Sequence, residues 1–330
     1  MRYSALKKRF LYLLTAGCLS ITGLFMGVLT GCGNSKLEQA YSFSQREKNL
    51  TASEAARAPL FAEDLCVLDG SIQDNDTAIT AEAGGLFNIT DASVVYSKHA
   101  TERLHPASIT KVMTALIAIE DGNLDDVVTV TDAAVVTEAG ASLCGIKPGD
   151  QITLRDLLYG LMMPSGNDAA NAIAVHMSGS LDAFAEKMTA RAKSLGATQT
   201  SFKNPSGLTN ENHYTTAYDL YLIFNEALKH SLFREIIGTH SYTAQYTGAD
   251  GAPASQTWNV GNWYQKGDIE TPDGLTVLGG KTGTTKAAGY CLIMAESDDS
   301  GKEYISVVLK SDSRTALYEN MTNIITKIVN

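Results

Sequence analysis

The stretch from Ile109 to Ile117 constrains this chain more than any other. Ile109, Val112, Met113, Leu116 and Ile117 recur at i, i+3, i+4, i+7 and i+8. That spacing is one apolar stripe of a helix, and it has to face a core. Pro106 just upstream suits a first helical position, where its missing N–H would have had no intrahelical partner. Ser108 then falls in the first turn, and its own N–H is free to face a ligand. Lys111 follows three residues later and shares a face with Ser108. A lysine held beside an apolar stripe loses hydration, which disfavours the ammonium form and lowers its pKa. An uncharged amine beside a hydroxyl is a base beside a nucleophile.

The S-x-x-K spacing alone is weak evidence. Ser4-Ala5-Leu6-Lys7 has it too, and a lone Ser108 would serve equally well as a helix-start residue. Two further motifs follow in order. Ser165-Gly166-Asn167 is the only S-x-N in the chain. It sits in a break between two helical segments, where Gly166 lets a ligand approach a hydroxyl and a carboxamide together. Lys281-Thr282-Gly283 is the only K-T-G, between Gly279-Gly280 and Thr284-Thr285. A glycine-bearing strand edge there would let a substrate backbone pair with it.

The N-terminus reads as an export signal. Lys7-Lys8-Arg9 precede the largely apolar run Phe10–Leu29, which ends in Leu29-Thr30-Gly31-Cys32. Basic, apolar, then small residues is the order of a signal peptide. We expect residues 1–31 to be removed and residues 32–60 to form a tether. The alternative is an uncleaved membrane span, since about 20 apolar residues are long enough to cross a bilayer. Either way the body, residues 61–330, lies outside the cytoplasm.

Net charge narrows the function. The whole chain carries −10; without residues 1–31 it has 22 basic residues against 36 acidic ones, or −14. With no Lys/Arg cluster, this argues against nucleic-acid binding and against electrostatic adhesion to anionic lipid. Beyond the signal and Cys32, only Cys66, Cys144 and Cys291 remain. They have no metal-ligand spacing and read as buried small hydrophobes, with a disulfide left open. The six histidines form no H-x-x-x-H or H-E-x-x-H pair, so no metal or other cofactor is expected.

Pattern and turn signals place the elements. Gly85–Ile89 and Ser93–Tyr96 read as a hairpin, and Val127–Thr131 as extended. Thr153 caps a helix over Leu154–Met163 that Pro164 ends. Ala169–Met177, Leu181–Leu195 and Ala217–Lys229 read as helices, and residues 249–273 as turn-rich. Leu275–Leu278, Tyr290–Ala295 and Tyr304–Leu309 read as strands, and Arg314–Val329 as a closing helix. Strands at both ends and helices between them predict an α/β fold of the α+β kind: an antiparallel sheet flanked by helices, with an inserted all-helical lobe.

With S-x-x-K, S-x-N and K-T-G in that order, the chain resembles the low-molecular-weight penicillin-binding proteins that act as D-alanyl-D-alanine carboxypeptidases, within the β-lactamase/transpeptidase-like superfamily. The likeness runs from about Ala83 to Asn330. It takes in Ile146-Lys147-Pro148-Gly149-Asp150, Asn204-Pro205-Ser206-Gly207-Leu208 and Gly280–Thr285 with Ala288-Gly289-Tyr290. Leu-Thr-Gly-Cys resembles a bacterial lipobox, which implies a lipid on Cys32 and anchorage to the outer face of the membrane.

The resemblance implies Ser108 as the acylated nucleophile, Lys111 as its base and Ser165 as proton relay to the leaving D-alanine. It implies that Asn167, Lys281, Thr282, Gly283 and Thr284 hold the substrate, with the N–H groups of Ser108 and Thr284 as oxyanion hole. The implied partners are peptidoglycan stem peptides ending in D-Ala-D-Ala and, as covalent inhibitors, β-lactams. Family members often have His where Ser206 stands, and many carry a second β-rich domain and a C-terminal anchor. Arg314 lies near a position where relatives have a carboxylate-binding or structural Arg. A D,D-endopeptidase shares these motifs. A class A β-lactamase needs a deacylating Glu, and no Glu-x-x-Leu-Asn follows Ser165. A non-catalytic wall-binding lipoprotein would not need Ser108, Lys111, Ser165 and Lys281 together.

Overall fold

The sheet at the centre is built from both ends of the chain. In the computed structural model, which describes residues 62–68 and 76–329, five strands pair antiparallel: β1 (Ala83–Asn88), β2 (Ser93–Lys98), β7 (Leu275–Thr285), β8 (Gly289–Asp298) and β9 (Glu303–Ser311). Their order is β2-β1-β9-β8-β7. The last strand in sequence therefore lies between the N-terminal hairpin and the β7–β8 pair, with Phe87 opposite Ile305 and Leu292 opposite Val308.

Strand β9 is buried on both faces, which explains why Tyr304–Leu309 is apolar at every position but Ser306. Ile305, Val307 and Leu309 join the main core; Tyr304 and Val308 join a second core behind the sheet. That second core is closed by helix α7 (Arg314–Ile325), through Leu317, Tyr318, Met321, Ile324 and Ile325. Arg314 itself is exposed, its guanidinium over the Trp263 ring. Across the front face, Tyr221 of α5 (Ala217–Leu228) stacks on Phe87 at 4.3 Å.

The predicted apolar helix is α1 (Lys111–Asp121), preceded by a single 3₁₀ turn, Ala107–Thr110. All five residues of the predicted stripe, Ile109 in the turn and the other four in α1, are no more than 1% exposed. Truncating one of them, Leu116→Ala, would cost about 2–5 kcal/mol from lost transfer energy and the cavity left behind. Around α1 lie α2 (Leu154–Met162), α3 (Asn167–Ser178), α4 (Leu181–Ser194) and α6 (Ser231–Gly238). Thr153 caps α2 as expected, accepting from the Asp156 N–H at 3.0 Å.

The lobe between the two sets of strands is not wholly helical. It carries a second sheet, order β3-β4-β5-β6, from β3 (Val127–Thr129), β4 (Gln151–Thr153), β5 (Ser241–Thr247) and β6 (Pro253–Asn259). Residues 249–273 are thus partly strand. In β5 and β6 the alternation is mostly Thr, Gln, Ser and Tyr, and only Ala244 and Trp258 are fully buried. Apolar patterning had little to register there. Tyr242 of β5 stacks on Tyr159 of α2 with centroids 3.6 Å apart, tying this sheet to the helices.

Cys66, Cys144 and Cys291 are buried free thiols with no disulfide among them. Burial pushes each thiol pKa up, that of Cys291 to about 12. The signal, the tether and Cys32 lie outside the described residues. No helix among the described residues is long and apolar enough to cross a membrane.

Candidate active site

The site is built on the 3₁₀ turn that carries Ser108. Ala107 takes a left-handed backbone, φ 48°, which an L-residue adopts only when its surroundings hold it there. Two segments do so. Leu104 and Thr215 exchange backbone hydrogen bonds at 2.8 and 2.9 Å. On the other side, strand β7 comes close through Gly283. A Cβ at Gly283 would lie 2.8 Å from the Pro106 carbonyl and 2.9 Å from the Ser108 nitrogen. Only glycine lets the K-T-G segment approach the nucleophile turn this closely.

Lys111 opens α1 and is fully buried. Its Nζ is 3.0 Å from Ser108 Oγ, 2.6 Å from Asn167 Oδ1 and 2.7 Å from the Ser206 carbonyl. Burial pushes its pKa well below that of an ordinary lysine; the charge of Lys281 adds to this and that of Asp168 opposes it. All three neighbours accept from its N–H groups. Once the amine is uncharged, two N–H groups serve the Asn167 and Ser206 carbonyls and the lone pair faces the Ser108 O–H.

Asn167 is the first residue of α3 and is nearly buried. The turn before it is held open at Ser165, whose φ of 63° is again left-handed. Ser165 Oγ is buried and has no hydrogen-bond partner among the described residues. A buried hydroxyl left unpaired is one whose partner a ligand can supply.

Lys281 lies in β7, with Nζ donating to its neighbour's carbonyl, Thr282 O, at 2.9 Å. Burial lowers its pKa to about 7. Strand β7 is longer than its apolar pattern, running through Gly279-Gly280 to Thr285. The pairing with β8 shifts register between Val277 and Gly279, so the two glycines mark a bulge rather than an end. Because β7 is the edge of the sheet, the other side of Lys281–Thr285 has no strand partner among the described residues. Thr284 there is exposed.

Three motifs far apart in sequence therefore meet. Ser108, Lys111 and Asn167 are joined by hydrogen bonds, Gly283 abuts the nucleophile turn, and Lys281 acts on Lys111 through its charge. Sequence reasoning missed the Ser206 carbonyl, because a backbone acceptor has no side-chain signature. The one signal was the Asn-Pro-Ser-Gly turn, in which Asn204 Oδ1 accepts from the Ser206 and Gly207 N–H groups. It also missed His213, which is buried beside the turn. His213 Nδ1 accepts from the Lys203 N–H at 3.2 Å, so Nε2 carries the proton and donates to Thr110 Oγ1 at 2.8 Å. Burial lowers the His213 pKa to about 3. Among the described residues one group has the spacing of metal ligands, Glu82, His99 and Glu102. It lies at the surface, and none of its members contributes to the site.

Residues 71–313 match the family model for D-alanyl-D-alanine carboxypeptidase. DacF of Bacillus subtilis (strain 168), a D-alanyl-D-alanine carboxypeptidase, is 36% identical over 226 residues, covering 66% of this chain and 54% of DacF. The D-alanyl-D-alanine carboxypeptidase of Streptomyces sp. (strain K15) is 35% identical over 257 residues, 74% of this chain and 86% of that one. This chain thus spans about half of the Bacillus protein and most of the Streptomyces one. The crystal structure of the Streptomyces K15 DD-transpeptidase superposes with a TM-score of 0.70 at 34% identity, covering 76% of this chain and 97% of that one. A D-alanyl-D-alanine carboxypeptidase from Mycobacterium tuberculosis H37Rv gives 0.67 at 28% identity, with 76% and 90% covered. With a family model spanning most of its length and solved relatives sharing its fold, this chain belongs to the D-alanyl-D-alanine carboxypeptidase family.

Proposed function

We propose that this chain is a serine D-alanyl-D-alanine carboxypeptidase that removes the terminal D-alanine of peptidoglycan stem pentapeptides. One observation carries the reading: the fully buried Lys111 amine, 3.0 Å from Ser108 Oγ. Lys111 takes the Ser108 proton as Oγ attacks the penultimate D-alanine carbonyl. The developing oxyanion is held by the N–H groups of Ser108 and Thr284. Ser165 passes a proton to the departing D-alanine nitrogen. Asn167 bonds the substrate amide, and Lys281 with Thr282 holds the terminal carboxylate. The stem peptide pairs along the free edge of β7 at Gly283. Water then hydrolyses the ester on Ser108. A β-lactam acylates the same oxygen and, its leaving group still tethered, stays there.

The similar Streptomyces K15 protein is a DD-transpeptidase, which supports a second outcome at the same ester: attack by an amine in place of water. For location, we propose cleavage before Cys32, lipidation of that cysteine and attachment to the outer face of the membrane, with residues 33–60 as spacer.

The test is mass spectrometry of the full chain after penicillin and after a pentapeptide, with and without an amine acceptor. The expected result is a penicilloyl adduct on Ser108, release of D-alanine, and loss of both in Ser108→Ala. Adducts that survive Ser108→Ala move the nucleophile elsewhere; an elongated peptide with the amine present assigns transfer.

A further inference from the structure

The residue after the S-x-N motif has no part in the chemistry above, yet the motif is fastened through it. Asp168 is 2% exposed. Its Oδ1 accepts from the Cys144 N–H and from the Ala169 N–H, and its Oδ2 from the Gly145 N–H, each at 2.9 Å. Cys144 and Gly145 are consecutive. The left-handed backbone at Gly145, φ 95°, turns both N–H groups toward one carboxylate, as in an anion-binding nest. Beside this clamp the Asn167 N–H donates to the Ser142 carbonyl at 2.9 Å, and the Gly166 N–H to Gly160 O at 3.0 Å. The 142–145 segment is fixed from behind by Trp258, whose indole N–H donates to Cys144 O at 2.8 Å.

These bonds hold the strained Ser165 backbone and aim the Asn167 carboxamide at Lys111. The carboxylate has a second reach. Lys111 is faced by Lys281 from β7, by Asp168 from α3, by the neutral His213 from the loop before α5, and by the uncharged Asn167 and Ser206 carbonyls. Asp168 is the one anion in that set.

We propose that Asp168 is a positioning residue for this reaction: its carboxylate seats Ser165 and Asn167 through the 142–145 clamp and puts a negative charge one residue from the carboxamide that bonds Lys111. The proposal rests on the functional reading above, in which uncharged Lys111 activates Ser108. Removing the charge makes Lys111 less basic, so the acid limb of the rate profile moves to lower pH. Straining the clamp while keeping the charge slows the reaction and leaves the limb in place.

The experiment measures the acylation rate of the full chain by a fluorescent penicillin from pH 4 to 9, with folding checked by circular dichroism. Wild type is the control for the functional reading, which fails if it is not acylated at Ser108. Given acylated wild type, Asp168→Asn is expected to be about 100-fold slower, with its acid limb lower by about one pH unit. Gly145→Ala, which keeps the carboxylate and strains the nest, is expected to be slower with the limb unmoved. An Asp168→Asn protein with wild-type rate and limb overturns the proposal. So does one that is slower with an unmoved limb, since a merely structural residue would behave that way. A Gly145→Ala limb that moves with Asp168→Asn overturns the charge assignment. Asp168→Ser serves if Asp168→Asn fails to fold, with the same expected shift; failure of both to fold makes Asp168 a scaffold residue only.

Discussion

Asn167 Oδ1 stands 2.6 Å from Lys111 Nζ, nearer than the Ser108 hydroxyl at 3.0 Å. A neutral carbonyl at that distance accepts a hydrogen bond without asking the amine to keep its third proton. An anion in the same place would stabilise the ammonium. Asn167→Asp is therefore expected to raise the Lys111 pKa, move the acid limb of acylation to higher pH, and slow the reaction at pH 7 by about 100-fold or more. Stopped-flow acylation across pH checks this; an unmoved limb contradicts it.

Lys281 gives the opposite limb. With its pKa lowered to about 7 by burial, its positive charge fades as pH rises through that value. For a substrate bearing a carboxylate, kcat/KM is expected to decline above about pH 7, since that ratio reports the free enzyme. Lys281→Arg keeps the charge, and its decline should disappear from the neutral range. Initial rates on a D-Ala-D-Ala peptide at several pH values measure both profiles.

Gly283 offers a steric test. A methyl group there would press on the Pro106 carbonyl and the Ser108 nitrogen, forcing β7 away from the nucleophile turn. Gly283→Ala is expected to destabilise the fold by about 1–3 kcal/mol and to slow penicillin acylation by about 100-fold. Thermal unfolding and labelling rates on one preparation separate the two effects.

Glu296 makes stability depend on pH. It is fully buried in β8, receives a hydrogen bond from Ser306, leaves Oε2 without a partner among the described residues, and has its pKa raised by burial to about 8 from 4.5. Unfolded, it ionises near 4.5; folded, only near 8. Its contribution is therefore complete below about pH 4.5 and is lost as pH rises through about 8, amounting to a few kcal/mol in order of magnitude. Glu296→Gln should remove that slope. Urea unfolding of both proteins at pH 5 and pH 8 measures it; equal slopes contradict the assignment.

Much of this was written in residue order. The α1 stripe, the Thr153 cap, the helix break at Ser165 and the apolar β9 all follow from side-chain periodicity and turn chemistry, and the structure has them where expected. The misses share a cause. Residues 241–259 form strands whose side chains alternate polar with polar, so no apolar period marks them. Gly279-Gly280 reads as a strand end because a bulge and a stop use the same residues. The Ser206 carbonyl and the Asp168 clamp act through backbone atoms or on backbone atoms, and such contacts depend on where two distant segments meet.

The placement of β9 between the first hairpin and the β7–β8 pair has a consequence for the order in which the site comes together. The segment bearing Lys281 joins the rest of the sheet only through β8 and β9, both of which follow it in the chain. The K-T-G strand is therefore tied to the first hairpin only after β9 has emerged and seated between them. The site carries its own delay: its last wall is fixed by a strand made after the wall itself.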